Sequence, residues 1–306
     1  MSSPPRTAVV HLVWGPAGRD PFEAFLASYE RHAAGAEHEL VLLYNGFAGV
    51  AAALAPYRER AADLGAREIV LAAPCLDLDA YRQAAARLRH ERICLVNSYS
   101  TVTASGWLAL LEAPLMDPAV GAVGATGSYA SHLSFELFQL GLPTRYGDAF
   151  ESRRAAREVM HDLSGARRPV SWRHWLYVLA MAARKRRGSQ RFPAPHLRTN
   201  GVLVERTLFA EICTGPARTK WDTHLLESGR GSMTARLRAR GRPPVVIDRR
   251  GVARPIARWH EGDVFMQSGQ QDLLIRDNQT DTYAQAGARE RAVLSALAWG
   301  PWARPR

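Results

Sequence analysis

Ile93-Cys94-Leu95-Val96-Asn97-Ser98-Tyr99-Ser100, with Gly106-Trp107-Leu108 shortly after it, is the stretch on which the fold turns. An apolar run containing Ile and Val that breaks abruptly into small polar residues reads as a buried parallel strand. Open α/β sheets bind ligands in the crevice at the carboxyl ends of such strands. A plain strand running into an ordinary Asn/Ser turn fits the same residues, so the surroundings have to decide.

Upstream, the pattern repeats. Val9-Val10-His11-Leu12-Val13-Trp14 is a strand stopped by Gly15-Pro16-Ala17-Gly18, and a helix follows with Asp20 as N-cap and Pro21 at its first position. Glu39 to Tyr44 is a second strand ending in Asn45-Gly46, and a helical stretch from Tyr57 to Leu64 leads to a third strand at Glu68 to Leu71. A helix from Tyr81 to Leu88 then feeds the strand at Ile93. Strands alternating with helices predict a mainly parallel α/β sheet with right-handed crossovers, so the tips at Trp14, Asn45, Asp77-Leu78-Asp79 and Asn97 share one crevice. Neither GxGxxG nor a Walker A sequence follows any strand, which argues against a dinucleotide fold and a P-loop NTPase.

Downstream, Val120 to Ser128 reads as a strand ending in a Gly/Ser loop. The alternation then stops, and 129–190 reads as a helical, Arg-rich insertion. His196 to Val204 returns to strand, and a helix lies around Leu208-Phe209. The segment Lys220 to Arg230 comes next, followed by a helix capped by Ser232 and closed by Gly241, and by a short strand at Pro244 to Asp248. The tail carries Asp277-Asn278-Gln279-Thr280 and an Ala/Leu-rich final helix. The expected organisation is one domain over 1–306, with 8–128 as a nucleotide-sugar-binding half, 129–190 as the insertion, 191–250 as an acceptor and catalytic half, and 251–306 as an extension.

Composition sets outer limits. An apolar content of 47% with 23% charged residues is that of a folded globular chain. The formal charge of +11, from 40 basic and 29 acidic residues, favours anionic partners such as nucleotide phosphates, acidic glycans or anionic lipid. The basic residues fall mostly after residue 150 and no nucleic-acid-binding signature is present, so a nucleic-acid partner is not expected. Cys75, Cys94 and Cys213 are scattered, without the spacing of a disulfide framework or a zinc site. With no apolar leader and no run of the ~20 apolar residues a membrane span needs, the expected location is the cytoplasm, in association with the inner face of a membrane if peripheral contact is made. That contact would come from Trp172 to Arg187, where Trp, Tyr and aliphatic residues run into Arg184-Lys185-Arg186-Arg187. This is the make-up of an interfacial helix on anionic lipid, or of a core helix with a solvated basic end.

The order of these motifs resembles the GT-A glycosyltransferases, specifically the inverting family 2-like enzymes, over about residues 8 to 250. Asn97-Ser98-Tyr99 and Gly106-Trp107-Leu108 stand where that family has an Asp-x-Asp motif followed by Trp-Leu. Asp222 and Glu227 stand where it has its catalytic base, and Arg198 to Arg206 looks like the strand and turn ahead of that base. The resemblance implies a mixed, mainly parallel Rossmann-like sheet flanked by helices, a nucleotide-sugar donor and a glycan, lipid-linked or small-molecule hydroxyl acceptor. It also implies Mn²⁺ or Mg²⁺ on the donor diphosphate, but Asn97-Ser98-Tyr99 lacks the carboxylates such a hard cation wants. No metal ligand is therefore assigned, and His260 beside Trp259 reads as structural.

An inverting transfer needs a carboxylate to take the acceptor proton and positive charge on the leaving diphosphate. Glu227 is the preferred base and Asp222 the runner-up; five residues apart, they cannot both face one site from a single helix. Donor contacts are expected from Trp14, Asn45, Asp77, Asp79, Asn97, Ser98, Tyr99, Arg198 and Arg230, with Tyr44 a further stacking candidate, and acceptor contacts from Trp107, Asn200 and Trp221. The alternative readings are a catalytically silent sugar-nucleotide or glycan-binding protein on the same fold and, ranked last, a nucleotidyltransferase releasing pyrophosphate.

Overall fold

The computed structural model describes residues 5–47, 51–146, 149–163 and 172–305. In chain order the first half runs β1 (Thr7–Trp14), α1 (Asp20–Arg31), β2 (His38–Asn45), α2 (Ala51–Ala61), β3 (Arg67–Val70), α3 (Asp77–Arg87), β4 (Arg92–Val96), β5 (Thr101–Val102), α4 (Trp107–Glu112), β6 (Ala122–Gly124) and β7 (Gly127–Ser128). Three helices follow: α5 (His132–Gln139), α6 (Arg153–Leu163) and α7 (Trp172–Lys185). Next come β8 (His196–Leu197), β9 (Val202–Glu205), α8 (Arg206–Ile212), α9 (Lys220–Ser228), α10 (Met233–Ala239), β10 (Val245–Ile247) and β11 (Ala253–Pro255). The tail adds β12 (Ile275–Arg276), α11 (Asn278–Gln285) and α12 (Ala288–Trp299).

Eight strands form one sheet in the order β11-β10-β6-β9-β4-β1-β2-β3. β1 pairs in parallel with β2 and β4, β2 with β3, and β10 with β6, while β9 runs antiparallel between β4 and β6 and β11 antiparallel at the edge. The fold is therefore α/β with a mixed, mainly parallel sheet flanked by helices, as expected. Because β2 and β4 lie on opposite sides of β1, the crossover direction reverses there. A crevice opens at such a reversal, beyond the carboxyl ends of the strands.

Strand alternation sorts β1 between two cores. Ala8, Val10 and Leu12 pack on one face with Tyr81, Leu95 and Val204, and Val9 and Val13 on the other with Phe25, Tyr44 and Trp107. Cys94 is fully buried, the small core residue its neighbours suggest. His11 also falls on the second face, its imidazole stacked 3.6 Å from the Phe25 ring with neither ring nitrogen hydrogen-bonded among the described residues.

Several sequence expectations shift in detail. Asp20 is the first residue of α1 and Arg19 holds the N-cap position, with the Glu23 N–H bonding the Arg19 carbonyl at 2.9 Å. α3 begins at Asp77 instead of Tyr81, which puts Asp77 and Asp79 in a first helical turn. The run 196–204 is not one strand: it breaks at Gly201, where φ is +70° and a Cβ would come within 2.8 Å of Ala125 Cβ and Ile275 Cδ1. Only glycine fits both demands. The segment Lys220 to Arg230 holds a helix that ends at Ser228 and is capped by Gly229. No helix among the described residues is long and apolar enough to cross a membrane. The side chains of Trp172, Arg173, His174 and Trp175, the aromatic end of the expected interfacial helix, lie outside the described residues.

Candidate functional site

A cavity of about 800 Å³ opens at the crevice. Trp14 reaches it from the end of β1, Cys75 to Asp77 from the entry to α3, Asn97 to Tyr99 from the end of β4, and Arg198 to Asn200 from the turn before β9. α9 contributes Lys220, Thr223, His224, Glu227 and Ser228, and the start of α11 contributes Asn278 and Gln279 behind Asp277.

Glu227 is a half-buried carboxylate that α9 places on this wall. Its Oε1 accepts a 2.8 Å hydrogen bond from the Thr199 hydroxyl. Burial raises its proton affinity above the ordinary Glu value; the Thr199 bond and the charge of Arg198 oppose the shift, and the negative charge of Asp77 adds to it. Asp77 is raised as well, by burial first. Two carboxyl groups of raised proton affinity thus line one cleft, Asp77 at its exposed side and Glu227 half-buried, and either can accept or hold a proton there.

Asn97 to Tyr99 do line the cavity, but the strand end is folded back on itself. Asn97 Oδ1 accepts from the Tyr99 N–H and lies 3.0 Å from the Ser100 hydroxyl, forming a local Asx turn. That hydroxyl also reaches Asn200 Oδ1 in a short contact, and with a single proton it can donate to one of the two at a time. Among the described residues no group of three or more His, Cys, Asp or Glu side chains is arranged to hold a metal ion. With the Asn97 oxygen already engaged, the strand end does not fit the divalent cation implied by the resemblance.

Arg198 lines the cavity but is not free to grip a diphosphate. Its Nη2 donates to Asp277 Oδ2 at 2.7 Å, and its guanidinium lies 4.0 Å over the Phe265 ring. The Asp277 side chain has no exposed surface. Burial raises its proton affinity, but Arg198 and the backbone N–H groups of Thr280 and Gln279 outweigh that and hold the carboxyl below its ordinary value. Asp277 also closes a capping box on α11. Lys220, by contrast, has no ion-pair partner among the described residues and stands exposed on the cavity wall.

Other expected site residues lie elsewhere. Asp222 is partly exposed and outside the cavity, because its carboxylate accepts from the Thr219 and Arg218 N–H groups to cap its own helix. Asn45 is buried and its amide latches the Cys75 backbone in both directions, at 2.8 and 3.1 Å, so it holds the loop leading to Asp77 instead of meeting a base. Tyr44 and Trp107 are core side chains. Asp79 accepts from Gln83 outside the cavity. Arg230 spends its guanidinium on the Ser189 and Arg186 carbonyls. Trp221 lies under Arg184, 5.1 Å from the ring centroid, outside the cavity, and His260 stacks on Trp302.

A histidine cluster on the cavity wall went unread. His132 and His224 meet edge to face at 4.6 Å, and the hydroxyls of Ser228 and Ser189 lie 3.1 and 3.3 Å from the two nitrogens of His224. Burial pushes His132 down to about 3 and His196 and His224 to about 4, so all three are neutral near pH 7. Asp277 was also unassigned, although an acidic residue three before Thr280 is a helix-start signature.

No known family matches the sequence, and no curated protein matches it either. Among solved structures, the chain is similar to a mannosyltransferase from Pyrobaculum calidifontis in complex with GDP-Man and Mn²⁺, at 20% identity over 40% of this chain and 36% of that one, with a TM-score of 0.33. It is similar to GalNAc-T7 with UDP, GalNAc and Mn²⁺ at 14% identity over 40% and 23% of the two chains, TM-score 0.33. It is similar to residues 1-349 of S. aureus TarS in complex with UDP-GlcNAc at 13% identity over 39% and 33%, TM-score 0.31. The likeness spans little more than a third of each of those chains at most.

Proposed function

We propose that the protein is a glycosyltransferase of GT-A type that moves a sugar from a nucleotide donor to a hydroxyl acceptor with inversion. The observation that carries the reading is Glu227: a half-buried carboxylate of raised proton affinity, held by Thr199, on the wall of a polar cavity at the carboxyl ends of parallel strands. A volume of about 800 Å³ suits a ligand of nucleotide-sugar size.

In this reaction the acceptor oxygen attacks the anomeric carbon while Glu227 takes its proton. The bond from that carbon to the donor phosphate breaks, and the nucleoside diphosphate leaves with the electron pair. Lys220 is the cation suited to the leaving diphosphate, and Trp14 offers an aromatic face at the crevice for the base. Asn97, Ser98 and Tyr99 supply hydrogen-bonding groups for the donor, while Asn200, buried and bonded to Ser100 and the Arg276 carbonyl, holds the wall. Arg198 and Asp277 act by fixing the wall. No step is routed through a metal.

The closed strand end at Asn97 and the pairing of Arg198 favour one second reading, a protein that binds sugar nucleotides or glycans without turnover. A panel of UDP- and GDP-sugars, with and without Mn²⁺ or Mg²⁺, separates the two. A donor that binds raises the melting temperature in proportion to RT ln(1 + [L]/Kd). Release of nucleoside diphosphate with an acceptor supports the transferase, and stabilisation without release supports the binding protein. If no sugar nucleotide shifts the melting temperature, the transferase reading falls.

A further inference from the structure

The outward face of α7 does not look like a face made for water. From Leu176 to Lys185 its buried stripe is Val178, Ala182 and Lys185, at helical spacing, and Lys185 is anchored by a 2.6 Å ion pair to Glu136 of α5. The opposite side holds Leu176, Tyr177, Leu179, Ala180 and Ala183, all exposed, the first three at 55%, 60% and 56%. A surface helix ordinarily turns polar residues outward. Here the outward face is apolar, and the segment from Leu176 to Arg187 contains no acidic residue.

The same face ends in positive charge. The Arg186 N–H still bonds the Ala182 carbonyl at 3.0 Å, and Arg186 and Arg187, in the turn that ends α7, are both exposed. Among the described residues neither guanidinium has an ion-pair partner. Arg186 also borders a second cavity, of about 420 Å³, whose walls are Leu133, Leu137, Leu142 and Pro143, with Arg191 at its edge. Leu142 is half exposed there. Arg186, at the end of the apolar stripe, thus also borders an apolar pocket, with Arg191 beside it.

We propose that this face docks the protein on the surface of an anionic phospholipid bilayer. Leu176, Tyr177 and Leu179 enter the headgroup and acyl boundary, and Arg186, Arg187 and Arg191 meet lipid phosphates. The pocket between α5 and Arg186 takes apolar lipid surface. Charge complementarity selects this occupant: the chain carries a formal charge of +11 and the face has no carboxylate of its own, so anionic lipid is attracted. An amphipathic helix lying in the interface needs the apolar face and the flanking arginines together. Docking is independent of whether the cleft at Glu227 transfers sugar, since none of these residues lines that cleft.

The test is co-sedimentation of the full chain with vesicles of phosphatidylcholine alone or mixed with phosphatidylglycerol. The expected result is binding to the anionic vesicles that weakens at high salt, little binding to the neutral ones, and a loss on the order of tenfold or more in Leu176→Glu/Leu179→Glu and in Arg186→Glu/Arg187→Glu. All four residues are exposed, so the variants should keep the wild-type melting temperature, and that is measured alongside. Equal binding to both vesicle types overturns the proposal, as does no binding to either. So does wild-type binding by the Leu variant, which would leave only a diffuse charge attraction. Competition by millimolar inorganic phosphate at constant ionic strength would mark a free-anion site and also overturn it.

Discussion

The Thr199 hydroxyl and the Glu227 carboxylate are joined by a 2.8 Å hydrogen bond that ties the turn before β9 to the last turn of α9. It fixes the orientation of the one carboxylate that α9 presents to the cavity, and it favours the charged form of a group whose partial burial favours the neutral one.

Glu227→Gln should lower kcat for transfer by about 10²-fold or more, the usual worth of a general base. The amide oxygen can still accept from Thr199, so donor binding by thermal shift should persist. Asp222→Asn should leave turnover near wild type, with a modestly lower melting temperature from the weakened cap. Full turnover in the Glu227 variant would refute the assignment.

The acid limb of kcat/KM should lie above the ordinary Glu value of 4.5, because the base must be ionised to work and burial raises its proton affinity. Thr199→Val removes a bond to the charged form, so the limb should move to still higher pH. A limb that stays in place on this substitution would mean that Thr199 does not act on the ionising group.

Arg198→Met leaves Asp277 buried without its cation and should cost about 3–5 kcal/mol in urea unfolding, the usual penalty for breaking a buried pair. Arg198→Met/Asp277→Asn should recover most of that loss, since the charge is gone and Asn can still cap α11. No recovery in the double variant would show that packing on Phe265, and not the ion pair, sets the cost.

Acid should destabilise the fold through its buried histidine. Burial pushes His11 down to about 3 from an ordinary value of 6.5. Below pH 6.5 the unfolded chain takes up a proton that the folded one refuses. The stabilisation is therefore full above 6.5 and is lost as pH falls toward 3, at about 1.4 kcal/mol per pH unit. His11→Leu should shallow that slope. It should also raise stability at pH 7 by about 1 kcal/mol, because two unpartnered ring nitrogens leave the core. Denaturant titrations at pH 7 and pH 5 measure both.

Much of the framework was legible in the residues. The strand at Ile93, its polar tip and the three strands before it alternate with helices at spacings that admit few topologies. Glu227 was preferred to Asp222 on the sequence because only one of two acids five apart can face one site, and of the two the structure puts Glu227 on the cavity wall. Arg198 and Asp222 were misread for one reason: each belongs in composition to an anion site or a base, and each is spent on a partner that spacing does not reveal. Asp277 lies 79 positions from Arg198 in sequence, and the Asp222 carboxylate turned back to its own helix start.

The sequence by itself determined the α/β class, the order of elements and the location of the crevice, because these follow from periodicity and turn chemistry acting within short windows. Only the tertiary structure decided that β9 runs backwards between β4 and β6, that Gly201 lets the Arg198 turn close against Ala125 and Ile275, and which polar groups are free in the cleft. Partner choice for a buried charge depends on what long-range packing brings within hydrogen-bond distance, and no local pattern encodes that.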